Sequence, residues 1–262
     1  MARTRKIHVQ TEMTFKSLDK NGQLRGGARS KTGPKPKLDA GGRQRMSHVK
    51  RPSIDHRHPQ HVTLRVSPEI GWMRKLDVYA AIRGALRKVL PRRSDFRIAQ
   101  YSVQDTHIHL IVEAEHKKAL AAGLRAFQIS AAKRINAVIS RRRRMDRRRR
   151  GVVFTDRYHA EDLSSVRQVR NALAYVMNNW RRHRVDSRDP SRRLCDGRLD
   201  PYASGLAYPG WREPLSLQRP RDYEPPPVAE PRSWLLTTGW TKAPLISCLE
   251  VPGPRSPKDR AR

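Results

Sequence analysis

Two histidines separated by one residue, His107 and His109, stand inside the apolar run HIHLIVEA at 107–114. If that run is a strand, side chains two apart point the same way, so both imidazoles share one face while Ile108, Leu110 and Val112 take the other. Their Cβ atoms then lie roughly 6–7 Å apart, near enough for both rings to tilt onto one ion at about 2 Å. Taken alone, a His-x-His triplet is a short pattern that chance also produces, and exposed histidines are commonly just solvated. Its weight comes from a second element. In VRQVRNALAYVMNNWRRHR (166–184) a helical turn of about 100° per residue gathers Val166, Val169, Leu173, Met177 and Trp180 into one apolar stripe, with Tyr175 on the opposite side. Asn179 follows one turn later, so its amide oxygen and the Tyr175 hydroxyl project from the same non-core face. Two neutral imidazoles and an amide oxygen suit Mg²⁺ or Mn²⁺ and leave positions open for phosphate oxygens. A phenol of pKa about 10 is a weak nucleophile at neutral pH, and a metal that polarises the phosphate supplies what it lacks. Tyr158 is the second tyrosine to weigh, with a stacking or structural role as its simpler explanation.

The elements that must position these groups are legible in the patterning. HVTLRV from His61 alternates as a half-buried strand, and KLDVYAAIRGALRKVL carries Leu76, Tyr79, Ala80, Ile82, Leu86 and Leu90 at near-helical spacing before Pro91. FRIAQYSV (96–103) and HIHLIVEA read as two strands joined by a tight turn. Residues 116–141 form a long amphipathic helix with Leu120, Leu124, Phe127, Ala131, Ile135 and Val138 inward. A fourth strand is expected around 151–156, and Ser164 or Ser165 caps the helix that follows. Strand, helix, strand, strand, helix, strand and helix make an α+β, ferredoxin-like antiparallel sheet (βαββαβ) with an extra C-terminal catalytic helix.

Around that domain, placed at 61–185, lie a basic flexible arm (1–60) and a Pro-rich C-terminal extension (186–262) of irregular structure. Lysine and arginine number 56 against 24 acidic residues, a formal net charge of +32 that calls for a polyanionic partner, and nucleic acid leads. Charge alone fits an inert phosphate binder equally well. In RRRRMDRRRR, the residues Arg141, Arg142, Arg143, Arg144, Arg147, Arg148, Arg149 and Arg150 read as an exposed backbone-contacting block, with Arg157 beyond it. The run GPKPK at 33–37 reads as a solvated linker rather than a minor-groove hook. Without an apolar signal centre or an eighteen-residue apolar run, the chain is expected to be cytoplasmic and nucleoid-associated. Two cysteines, Cys195 and Cys248, build neither a disulfide framework nor a metal site.

The segments SVQDTHIHLIVEA, DRYHAEDL and RNALAYVMNNW, over roughly residues 61–185, resemble the REP-associated tyrosine transposases of the HUH single-tyrosine class. The resemblance implies His107 and His109 as metal ligands, Tyr175 as the nucleophile and Asn179 as the completing ligand. It further implies cleavage of single-stranded DNA beside hairpins, a 5′-phosphotyrosine link, and a homodimer. Two departures stand out: Asp105-Thr106 where many relatives have Pro-Asn, and Trp180 where they have Pro. Asp105 is a further partner to consider for a histidine.

Other readings fit less well. The HIT hydrolases need a third histidine where Ile111 stands, and the paired His-x-Thr motifs of 2H phosphoesterases find only one half, at 61–64. A non-catalytic nucleic-acid-binding protein on the same fold is the remaining alternative, yet the inner strands offer only Phe96 and Tyr101 as stacking rings.

Overall fold

The computed structural model describes residues 52–183, 185, 199–214 and 224–253. The arm at 1–51, with its GPKPK run, and Cys195 lie outside the described residues. Strands β1 (Gln60–Arg65), β2 (Phe96–Val103), β3 (His107–Ala114) and β4 (His159–Asp162) alternate with helices α1 (Leu76–Val89), α2 (Lys117–Arg142) and α3 (Val166–Arg182) in the expected order. The sheet runs β2-β3-β1-β4 with every neighbouring pair antiparallel. Each βαβ unit is therefore split by a strand of the other, which is the ferredoxin-like arrangement.

Period two sorts the sheet into two faces. Val62 and Leu64, Ile98, Tyr101 and Val103, and Ile108, Leu110 and Val112 pack with α1 and α2 into one core. A bulge at Ala99 keeps Ile98 and Tyr101 on that side despite their odd spacing. The stripe expected on α2 is buried throughout. On α1 the buried face is turned from expectation: Val78, Ala81, Ala85 and Val89 join Tyr79, Ile82 and Leu86 inside, while Leu76 and Ala80 are exposed. Small side chains at 81 and 85, one turn apart, present a flat surface to α2 and decide the rotation.

The fourth strand also departs from expectation, lying at 159–162 rather than 151–156. Residues 153–154 do meet the end of β1, through Ser67 N donating to Val153 O (2.7 Å) and a bridge between Val66 and Phe154. The ladder then slips before Thr63 pairs with His159. In the gap, Tyr158 turns into the core.

β2 is an edge strand, and unpaired edges invite association. Here the C-terminal stretch closes it: Val103 N donates to Tyr202 O (2.9 Å), Tyr101 N to Ser204 Oγ (2.8 Å) and Ala229 N to Ile98 O (2.9 Å). A buried pair between Arg74 and Asp200 (2.8 Å) fastens the stretch, with the guanidinium 4.5 Å above the Tyr202 ring. Its described residues are irregular apart from short turns such as α4 (Trp234–Thr237), and they bury Trp211 and Trp240. No described helix is long and apolar enough to cross a membrane.

Candidate active site

β3 sets His107 and His109 on the face opposite the α1–α2 core, with ring centroids 4.6 Å apart. Antiparallel pairing with β1 puts Thr63 across from His109 and brings in a third imidazole, His61, stacked on His109 at 5.2 Å. From α3, which packs over this face, Tyr175 meets His109 edge-on at 5.0 Å and His61 at 5.7 Å. Phenol and imidazoles thus come from three elements far apart in sequence.

Hydrogen bonds orient both central rings. The Thr106 hydroxyl lies 3.1 Å from Nδ1 of His107, while His61 Nε2 and Thr63 Oγ1 each lie 3.2 Å from Nδ1 of His109. A histidine held through Nδ1 would meet an ion through the opposite nitrogen, Nε2. On His107 that nitrogen is buried and has no hydrogen-bond partner. Burial pushes His61 and His107 down to about 3, with His159 adding to the first and His183, Arg65 and His61 to the second. Burial also holds His109 well below the ordinary imidazole range, helped by His107, His61 and His183. All three rings are neutral at pH 7, the form that offers a lone pair.

α3 begins at a capping box: Ser165 Oγ accepts from Gln168 N, and the Gln168 side chain accepts from Ser165 N (3.1 Å). Tyr175 leaves the helix opposite the apolar stripe, as its position in the turn requires, but that face is not open. Tyr175 is 2% exposed, Asn179 is fully enclosed, and every residue from Ala172 to Trp180 is buried. The sheet covers one side of α3 and the C-terminal stretch the other. Asn178 Nδ2 donates to Ser247 O (2.9 Å), Arg181 to Cys248 O (2.8 Å), and Arg170 pairs with Glu250 (2.5 Å).

Neither Oδ1 nor Nδ2 of Asn179 has a hydrogen-bond partner. Buried polar atoms are rarely left so, and each one asks for a ligand or an ion. Among the described residues, no group of three His, Cys, Asp or Glu side chains can hold a metal. A divalent ion here would need the Asn179 amide beside His107 and His109, and the unpaired nitrogen, the unpaired oxygen and the neutral rings fit that need.

The arginine block is more varied than its sequence. Arg141, Arg144, Arg147 and Arg150 are exposed, whereas Arg149 folds inward onto Glu69 (2.7 Å) and Asn136 (2.5 Å). Arg142 pairs with Asp77, Arg143 donates to Glu69 O (2.9 Å) and Arg148 to Lys133 O (2.6 Å). Arg157 is partly buried. Glu69 follows the end of β1, where Val66 N donates to Thr106 O (2.9 Å), so the block stands at the sheet end from which His107 emerges. Sequence reasoning missed His61, Thr63 and Thr106. The signal was present: in HVT the polar residues alternate with Val62, and a ferredoxin-like sheet makes this strand the neighbour of the His107–His109 strand.

Residues 60–179 match a family model described as Transposase IS200 like. A comparison with curated proteins finds no match. Among solved structures, one described as the REP associates tyrosine transposase bound to a REP hairpin is 15% identical, covering 62% of this chain and 84% of that one at a TM-score of 0.44. The matched span contains all four strands, both histidines, Tyr175 and Asn179, and over residues 60–179 the chain is similar to the IS200-like transposases.

Proposed function

We propose that the chain is a metal-dependent transposase that cuts and rejoins single-stranded DNA, with Tyr175 as nucleophile and His107, His109 and Asn179 as metal ligands. The observation that carries this reading is that His107 Nε2 and the Asn179 amide are buried and unpartnered, while Tyr175, one turn before Asn179 on α3, packs on His109. Mg²⁺ or Mn²⁺ held there would polarise the scissile phosphate and offset its charge. The Tyr175 oxygen gives up its proton and bonds to phosphorus, the P–O3′ bond breaks, and the 3′ oxygen leaves as a hydroxyl after taking a proton. The 5′-phosphotyrosine that remains is reopened by a second 3′-hydroxyl, which restores the phenol and joins new ends. Thr106, His61 and Thr63 hold the two rings through Nδ1. Because Tyr175 is covered, an element packed around it must move before a phosphate can reach it.

The exposed arginines beside the His107 end supply a path for the backbone, and hairpins next to repeats are the expected substrates, cut by a homodimer. The rival reading, a binder that stacks bases on its sheet, loses support because Phe96 and Tyr101 are fully buried in the α1–α2 core. The test is incubation with single-stranded DNA from the flanks of its own gene, with Mn²⁺, followed by a denaturing gel. A covalent protein–DNA band that EDTA removes is expected. Tight binding with no band under any divalent ion would sink the enzymatic reading.

A further inference from the structure

We propose that a second site on the same sheet face binds one unpaired nucleotide of the DNA, its base stacked on Trp234. This rests on the reading of the chain as a single-strand DNA enzyme. The face of β3 that carries His107 and His109 continues through Ile111 to Glu113, and Arg97 of β2 pairs with Glu113 in register. These two residues line a cleft of about 640 Å³, within the range of small-ligand sites. His56, Ser164, Arg232 and Trp234 also line it.

Trp234 is 51% exposed, whereas Trp211 and Trp240 of the same stretch are buried. An indole that the fold leaves half in water at a cleft gains the most from a flat partner laid upon it. The ring is held in place. Lys242 Nζ lies 5.1 Å from its centroid, and Gly239 backs it so closely that a Cβ there would come 2.8 Å from Cζ3. A ring already fixed loses little freedom on binding. Glu113 is no obstacle to a phosphate, since its two oxygens accept from the backbone N–H of Arg232 and Ser233, each at 2.8 Å, and so fix the turn that carries Trp234. Arg97 and Arg232 suit a phosphate, and Glu115, which also lines the cleft, suits the amino group of a base. Cations, an acceptor and an aromatic plane together match a nucleotide better than a bare anion.

Position strengthens the assignment. Glu113 stands four residues beyond His109 on β3, about 14 Å at the strand rise, a span that about four nucleotides cover at the ~3.4 Å rise of stacked DNA. A strand seated at Tyr175 therefore reaches the cleft within a few nucleotides of the cut.

The test uses the full chain and single-stranded DNA carrying 5-iodouracil at successive positions. Photocrosslinks should map to Trp234 at one position on one side of the cleavage point. Trp234→Ala should weaken binding by about fivefold to a hundredfold in fluorescence anisotropy, and Trp234→Phe by much less. An abasic nucleotide at the crosslinked position should weaken the wild type by the same factor and leave Trp234→Ala unaffected. Thermal melting of both variants guards against a folding defect, and Trp234→Phe keeps the question open to test if the alanine variant melts early. Wild-type affinity in Trp234→Ala, or an equal abasic penalty in wild type and variant, overturns the cleft alone when wild-type protein still forms its covalent band. Absence of both binding and band would overturn the transposase reading, and the cleft with it.

Discussion

The two faces of the sheet are equally buried and chemically opposite. Under α1 and α2 the strands present Val62, Leu64, Ile98, Val103, Ile108, Leu110 and Val112, and the Tyr79 and Tyr101 hydroxyls meet there at 3.1 Å. Under α3 the same strands present His61, Thr63, Gln100, Ser102, His107 and His109, and unpartnered atoms gather at His107, Asn178, Asn179 and Trp180. Burying polar groups without partners costs stability, about 1–3 kcal/mol each. Carrying such atoms on His107 and on Asn179, one helical turn beyond Tyr175, points to a purpose other than stability.

The sharpest break in this symmetry is expected at Tyr175. Tyr175→Phe keeps the ring against His109 and His61, so thermal stability should stay within about 2 °C, but it removes the oxygen proposed to attack. The covalent band should fall by about 10⁴-fold or more, the scale seen when a nucleophile is deleted. Tyr158→Phe should leave the band in place, because that ring belongs to the core. A band that persists in the first variant and vanishes in the second would move the nucleophile to Tyr158.

Paired substitutions on adjacent residues of β3 compare the faces directly. Ile108→Ala empties part of the packed core and should cost about 2–5 kcal/mol in urea unfolding, with cutting tracking the folded fraction. His107→Ala removes the unpartnered Nε2 along with the Nδ1 contact to Thr106, so it should cost less stability than Ile108→Ala while Mn²⁺-dependent cutting is lost. Equal destabilisation by the two would show that the histidine face is ordinary core.

The neighbours of the histidines should give an intermediate effect. His61→Phe and Thr106→Val each delete a hydrogen bond to Nδ1 while keeping bulk, and loss of such partners commonly weakens metal binding by about 10–100-fold. Calorimetric titration with Mn²⁺ measures this without any cleavage assay. Unchanged affinity in both variants would assign those contacts to packing.

How much of this was legible in the sequence follows the range of the interactions. β3 and the α2 stripe are set by local periodicity, and both stand where the pattern puts them. The candidate residues His107, His109, Tyr175 and Asn179 could be named because each shows its direction within its own element. His61 and Thr63 were passed over because their relation to His109 exists only through strand pairing across some 46 residues. The burial of α3 on both sides was not legible either, since its outer cover comes from residues 244–252, which have no period to read. β4 moved because turn geometry and the demand of Tyr158 for the core outweighed the apolar GVVF run.

The smallest expected effect concerns the arginines, and it extends the comparison to the outer surface. Arg144 and Arg147 are exposed at the sheet end that holds His107, so a strand threaded toward Tyr175 as proposed would pass near them. Each arginine that neutralises a phosphate releases condensed counterions, and log affinity for a single strand then falls with log salt at a slope of about 0.7 per contact. Replacing both with glutamine should flatten that slope by about 1.4 if both touch phosphates. Arg149 is the control in the same run: its side chain is taken up by Glu69 and Asn136, so Arg149→Gln should lower stability and leave the slope almost unchanged. Anisotropy titrations of the three proteins at several salt concentrations decide the matter. A slope that responds to Arg149 and not to Arg144 and Arg147 would mean that the strand approaches the histidine face from elsewhere.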